Sequence, residues 1–480
     1  MENKTLATDF YELTMGQVYF NEGMKDTQVV FDIFFRKNPF NGGYTISGGL
    51  EETINYVKNF KFGKEEIDYL RGLNTFTEEY LDYLANLKFK GDIYAVQDGT
   101  AIFPNEPILK VKADIITAQL LETSLLTNFN AGALVVTKAK RITSEAKGNP
   151  VADFGERRGR SIDSAIEASK YAYIGGCAST SNVYAARKYG IPASGTGAHS
   201  QIMAMGTEDN AFEAMAKTFP KNTVLLIDTY DTLNIGINNA IKIGLAMKKA
   251  GNELKGVRID SGDLLYITKE VRKKLDAAGL TNTKITVSNS LDEYSIRELV
   301  SQGAPIDFWG VGENMIAPND RVGGVYKLSQ IENEPKIKIS NDTIKTTNPG
   351  DKKVYRFYDQ ITGLALGDVI ALAEEKIPLD KFTLVHPTET WKQTEIENYK
   401  VRELLIPIFI NGELVYNTPT INELKNYCEQ EYQTLHPGDR RIQNPHEYYV
   451  DLTDKLRELK QELIAMHTVN TEKPKEYVKK

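Results

Sequence analysis

The sequence predicts an α/β protein: an incomplete α/β barrel in its middle part, an α+β region before it and a helical extension at its end. Three observations carry this. Six short apolar runs recur between residues 150 and 309, amphipathic helical patterns separate most of them, and each run ends in a cluster of polar residues or glycine. Strands alternating with helices of 10–15 residues make βαβ units and a parallel sheet. Six such units suit a barrel better than a two-sided sheet.

Residues 1–115 carry segments punctuated by Gly and Asn, such as Phe35–Leu50. Val29–Phe35 and Lys90–Val96 read as strands there, and Glu51–Phe60 and Lys64–Leu73 have helical periodicity. Residues 116–330 are the barrel region, entered by a long helical pattern from Thr117 to about Lys147. Its strands are predicted at Pro150–Phe154, Ile191–Ser194, Thr223–Ile227, Gly256–Ile259, Lys284–Val287 and Ile306–Trp309. Helices are predicted at Ala165–Tyr173, Phe212–Phe219, Leu233–Lys249, Leu264–Leu280 and Asp292–Gln302. Residues 331–420 return to β structure at Pro335–Ile339, Lys353–Tyr358 and Val369–Leu372, completing the N-terminal region. Residues 421–480 are charged and helical in pattern, with a tail, 471–480, expected to fray.

Composition narrows the function. Hydrophobic residues make up 41% and charged residues 26%, as in ordinary soluble proteins. Cys177 and Cys428 are the only cysteines, too few for a disulfide framework, which points to a reducing compartment. The N-terminus has neither the basic start nor the apolar stretch of a signal peptide. Apolar runs such as Val224–Ile227 fall far short of the roughly 20 residues that span a bilayer. Net charge is −7, without a basic block before the last few residues, so no nucleic-acid partner is expected. A cytoplasmic protein acting on small molecules is the expectation.

The chemistry collects just after the apolar runs. Gly155-Glu156-Arg157-Arg158-Gly159-Arg160 follows the first, and Gly195-Thr196-Gly197-Ala198-His199-Ser200 the second. Asp228-Thr229-Tyr230-Asp231, Asp260-Ser261-Gly262-Asp263, Ser288-Asn289-Ser290 and Gly310-Val311-Gly312 accompany the others. The carboxyl ends of barrel strands line the active site, so these clusters read as one pocket. Cations, carboxylates, hydroxyls and backbone N–H groups together suit a phosphorylated substrate with a metal. Singly, each has a bland reading. Arg157, Arg158 and Arg160 are equally a solvated charge run, His199 an ordinary residue after a turn, and Asp228, Asp260 or Ser261 a helix cap. Jointly, six coincidences would be required.

Several motifs make a resemblance specific. Thr8–Met15, Phe35–Phe40, Glu156–Arg158, Ser194–Ser200, Arg258–Asp263, Gly310–Gly312 and Gly323–Leu328 stand in order along the chain. Together they resemble the nicotinate phosphoribosyltransferase family. The likeness implies a type II phosphoribosyltransferase: an open-faced sandwich domain with an irregular, incomplete α/β barrel, usually a homodimer with active sites shared between subunits. Glu313 follows Gly312 where many relatives carry a small hydroxyl residue, and a carboxylate there repels phosphate.

The resemblance implies nicotinate, phosphoribosyl pyrophosphate and ATP as substrates, with Mg²⁺ on the phosphates. Positioning and charge stabilisation at C1 of the ribose then carry the reaction. His199 matches the residue that the family phosphorylates with ATP, and Asp228 is the candidate that orients its imidazole. Asp260 is the candidate for the ribose hydroxyls or Mg²⁺, with Asp263 as a weaker metal candidate. Arg157 and Arg258 are candidates for the nicotinate carboxylate, Tyr11 and Phe154 for its ring, and Thr196 for a hydrogen bond. Ser288, Gly310 and Gly312 complete the substrate-binding set. The alternatives are a nicotinamide phosphoribosyltransferase and a non-catalytic sensor of phosphoribosyl ligands. The run Ala178–Asn182 has no Asp or Glu to accept from an amide, which favours the acid. His199 together with Asp260 speaks against a sensor.

Overall fold

A computed structural model describes residues 3–467, apart from 341, 343, 344, 379, 386–388 and 390. The tail 471–480 and His386 therefore lie outside the described residues. The chain divides into two compact units, one of residues 131–321 with 419–431, the other of residues 1–130, 322–418 and 432–480.

The first of these holds six parallel strands: β1 (Val151–Asp153), β2 (Ser179–Thr180), β3 (Val224–Leu226), β4 (Gly256–Ile259), β5 (Lys284–Val287) and β6 (Phe308–Val311). Their order in the sheet is β2-β1-β6-β5-β4-β3. The first strand thus pairs with the last, Gly310 opposite Ala152. Among the described residues no ladder joins β2 to β3, so the circuit is open at that point. The apolar runs form strands because both faces are covered: Val151, Leu225, Val257, Ile285, Val287, Trp309 and Val311 are all buried.

Helices α1 (Ile162–Ile174), α2 (Val183–Tyr189), α3 (His199–Ala204), α4 (Glu208–Thr218), α5 (Ile237–Lys249), α6 (Leu264–Ala277) and α7 (Glu293–Ser301) connect the strands. Their starts are written in the sequence. Ser161, Asn182, Thr207, Asp263 and Asp292 accept the backbone N–H groups that open α1, α2, α4, α6 and α7.

One predicted strand is replaced by another. Ile191–Ser194 forms only an isolated bridge between Ala193 and Thr180, and the strand in this place is β2. Pro192 lacks the N–H that would extend the ladder. What remains is Thr180 N donating to Pro192 O and Ser194 N to Thr180 O, both at 3.0 Å.

The other unit carries a seven-stranded antiparallel sheet in the order Glu334–Pro335, Gly324–Ile331, Gln28–Phe35, Leu109–Asp114, Asp92–Ala95, Ile406–Ile410, Glu413–Leu414. A four-stranded sheet orders Tyr399–Glu403, Lys352–Asp359, Ala365–Leu372 and Val450–Leu452. Of the predicted 335–339 strand only Pro335 is in a strand, the two-residue Glu334–Pro335. The 421–480 region is not helical throughout: Val450–Leu452 joins a sheet between helices Ile421–Thr434 and Asp454–His467. The pattern Thr117–Lys147 likewise divides at Leu121 into helices Ile115–Leu120 and Glu122–Glu145.

Candidate active site

Arg258 organises the carboxyl ends of β4 and β5. Its Nε donates to Ser288 Oγ at 2.9 Å, Nη1 to Thr196 Oγ1 at 2.9 Å and Nη2 to Asp260 Oδ1 at 3.0 Å. The Phe154 ring lies against the guanidinium, 5.5 Å from its centroid. Ser288 Oγ also donates to Asp260 Oδ1. One cation therefore fixes a carboxylate, two hydroxyls and an aromatic face. Gly310 is required beside them: a Cβ there would sit 2.5 Å from a Phe154 ring carbon.

Beside this cluster stands His199, the first residue of α3. Its Nδ1 is 3.2 Å from Thr229 Oγ1, and its Nε2 faces Asp228 Oδ1 at 3.9 Å and Asp260 Oδ2 at 3.8 Å. The imidazole is 40% exposed while the Asp228 carboxylate is 1% exposed, so the ring is reachable and its neighbour is not. Asp228 Oδ2 accepts Asp260 N at 2.8 Å and Ser261 Oγ at 2.6 Å. Its Oδ1 is buried without a hydrogen-bond partner. A buried carboxylate oxygen with only an imidazole edge in front of it is positioned to stabilise positive charge on that ring. The helix-cap role open to Asp228 falls instead to Asp231, which accepts from Leu233 N and Asn234 N.

The remaining residues divide. Thr196, Phe154, Ser288, Gly310, Asp228, Asp260, Arg258 and His199 come together. Arg157 lies exposed in the turn Glu156–Arg158 and, among the described residues, has no hydrogen bond or ion pair to this cluster. Asp263 caps α6 through Tyr266 N at 3.1 Å, a structural role that turns its carboxylate to the helix. Gly312 closes the turn before Glu313–Ile316, accepting Met315 N at 3.1 Å. The Glu313 carboxylate is 3.9 Å from Arg158 Nε. Tyr11 belongs to the other unit, 45% exposed on helix Phe10–Asn21. Partial burial and the Glu122 and Glu12 carboxylates push its phenol up, so the ring stays neutral at physiological pH.

Two features escaped the sequence reading. Asp153, at the end of β1, is fully buried and accepts three bonds: Gly155 N at 2.8 Å, Ser169 Oγ at 2.7 Å and Thr180 Oγ1 at 2.7 Å. Burial pushes its carboxyl up against the pull of these donors. It fastens the loop that carries Phe154 and Arg157 to α1 and β2. Asp153→Ala is expected to lower the unfolding free energy by about 2–3 kcal/mol by leaving buried donors unmade, and Asp153→Asn by less, since the hydroxyls can reverse to accept. Urea unfolding monitored by circular dichroism checks both; an Ala variant as stable as wild type would contradict this account. The second is backbone strain after β5, where Asn289 and Ser290 have φ of 103° and 47°. Such left-handed conformations persist where the surroundings hold them, and Asn314 Nδ2 does so by donating to Ser290 O and Leu291 O, both at 3.1 Å. Asn289 was legible as a residue tolerant of this conformation.

Strand ends that gather an arginine, two carboxylates, hydroxyls and an accessible imidazole define an α/β enzyme built for group transfer on a charged ligand. The comparisons with known proteins give that class its family. The nicotinate phosphoribosyltransferase N-terminal domain model matches residues 6–130, the family model residues 150–371, and the C-terminal domain model residues 351–460. The nicotinate phosphoribosyltransferase of Bacillus subtilis (strain 168) is 39% identical over 462 residues, covering 94% of each chain. A Mycobacterium tuberculosis nicotinate phosphoribosyltransferase, pncB2, is 37% identical, covering 94% of this chain and 92% of that one. The crystal structure of human nicotinic acid phosphoribosyltransferase superposes with a TM-score of 0.84 at 28% identity, covering 95% of this chain and 99% of that one. The chain belongs to the nicotinate phosphoribosyltransferase family, enzymes of pyridine nucleotide and NAD biosynthesis.

Proposed function

We propose that the site transfers the phosphoribosyl group of phosphoribosyl pyrophosphate to the ring nitrogen of nicotinate, releasing pyrophosphate, and couples this to ATP through a phosphate carried on His199. The observation that supports it best is the His199 imidazole set between Asp228 and Asp260 beside a four-partner arginine. The bond from C1 to the pyrophosphate oxygen breaks as the pyridine nitrogen forms its bond to C1. Positive charge grows on the ribose and negative charge on the leaving group. Asp260 Oδ2, the oxygen not bonded to Arg258, is available to the ribose hydroxyls or to a cation.

The donor set fits Mg²⁺ as a companion of the phosphates rather than in a protein cage, since one carboxylate oxygen is free and the cation keeps most of its water. When bound, Mg²⁺ neutralises the pyrophosphate. Arg258 pairs with the nicotinate carboxylate, Thr196 hydrogen-bonds to it and Phe154 covers the ring, with Arg157 as the alternative cation. Gly310 and Gly312 offer backbone N–H groups and Ser288 a hydroxyl. Asp228 facing Nε2 leaves Nδ1, on the Thr229 side, as the phosphate-accepting nitrogen.

We further propose a homodimer in the cytoplasm, with Tyr11 of one subunit stacking on nicotinate in the site of the other. Among the described residues no helix is long and apolar enough to cross a membrane. Mixing Tyr11→Ala with His199→Ala, each inactive in ATP-coupled synthesis, should restore part of that synthesis through hybrid dimers. No recovery despite demonstrated subunit exchange would assign both residues to one subunit's site. The reaction itself is tested by mass spectrometry of products: nicotinate mononucleotide and pyrophosphate in equal amounts are expected. ATP hydrolysis with neither product would refute the proposal.

A further inference from the structure

We propose that His436, Asp439 and His446 form a second site, a binding site for a divalent transition-metal cation of the Zn²⁺ type. The three residues belong to one compact unit, the one that does not contain His199. Each offers one ligand atom, and these atoms all lie within 4.8 Å of one another.

The turn that carries them is anchored by buried Leu435 and Ile442. Asp439 N donates to His436 O at 2.9 Å, and His446 N returns to donate to Gly438 O at 3.0 Å. The two imidazoles lie nearly parallel, with centroids 5.6 Å apart and 10° between planes. Gly438 allows this, because a Cβ at that position would sit 2.1 Å from His446 Nδ1. Both rings are exposed, whereas Asp439 is only 6% exposed. A buried carboxylate facing two imidazoles wants positive charge. A cation shared by all three supplies it without protonating a ring.

Donor chemistry selects the ion. Two imidazole nitrogens and one carboxylate are the ligand types of a three-residue zinc site with an open fourth position. Mg²⁺ and Ca²⁺ are hard cations that take oxygen ligands, whereas two of the three ligands here are imidazole nitrogens. The geometry also gives binding a local signature. Gly438 N donates to His436 Nδ1 at 3.0 Å. Coordination through Nδ1 takes that lone pair, and coordination through Nε2 moves the ring proton to Nδ1. Either way the Gly438 hydrogen bond is lost.

The test is titration of Zn²⁺ into the chelator-stripped full chain by calorimetry, with metal counted by mass spectrometry after dialysis and Mg²⁺ as the control cation. About one Zn²⁺ per chain is expected, weakened at least roughly tenfold by Asp439→Asn and lost in His436→Gln and in His446→Gln. The exposed rings make both Gln variants tolerable to the fold, checked by metal-free melting that matches wild type. Zn²⁺ should raise the Tm of wild type but not of His446→Gln, and should still bind His199→Ala. No Zn²⁺ uptake by wild type, uptake that survives His446→Gln, or uptake that disappears in His199→Ala would overturn the proposal.

Discussion

Arg258→Ala should lower kcat/KM for nicotinate by about 100- to 1,000-fold, which at 1.36 kcal/mol per decade is about 3–4 kcal/mol. The guanidinium holds Ser288, Thr196 and Asp260 and lies on Phe154, and its side chain is 15% exposed. Removing it leaves Asp260 without its cation in a half-buried site and frees Phe154. Arg258→Lys should recover part of the loss and no more, because a point charge cannot reproduce three separately directed donors. The kinetic split identifies the partner. A rise in the nicotinate KM assigns Arg258 to the carboxylate. A rise confined to the sugar-phosphate KM would move that role to Arg157.

His199→Ala should abolish phosphoenzyme formation and ATP hydrolysis, yet leave a slow, ATP-independent synthesis. The ring is the only imidazole facing Asp228 and Asp260 among the described residues, while the C1 chemistry proposed above rests on other groups, Arg258 and Asp260. In wild type, label from ATP should be acid-labile and base-stable and should map to His199 by mass spectrometry. His199→Asn should behave like Ala, since an amide cannot carry the phosphoryl group. Melting temperatures near wild type are expected for both, because the ring is 40% exposed and packs no core. Label on another residue would refute the assignment even if ATP is consumed.

Strands were legible where burial depends on apolar side chains. Gly256–Ile259 and Lys284–Val287 have the bounds that their apolar runs suggested. Ser179–Thr180 was not legible, because its burial depends on polar bonds to Ser194 and Asp153 made in three dimensions. Asp153 lies inside the predicted strand Pro150–Phe154, where no letter of the run marks the three bonds it accepts. The gathering of Asp228, Arg258 and Asp260 followed from their common place at strand ends, whereas Thr196 reaches them from a segment that forms only a single bridge. What spacing could not say is which of two acids four residues or fewer apart does what. Asp260 meets Arg258 and Asp263 caps a helix, a difference set by the direction of the chain after the strand. Arg157 and Arg258 are likewise equal as letters, and only the second is drawn into the cluster.

The most direct test of the central claim is product formation from nicotinate, nicotinamide and quinolinate in parallel, each with phosphoribosyl pyrophosphate, with and without ATP. The proposed pairing of Arg258 with one substrate carboxylate, with Thr180 of the acid-free run already committed to Asp153, predicts efficient turnover of nicotinate alone and stimulation by ATP. Equal catalytic efficiency on nicotinamide would contradict the account.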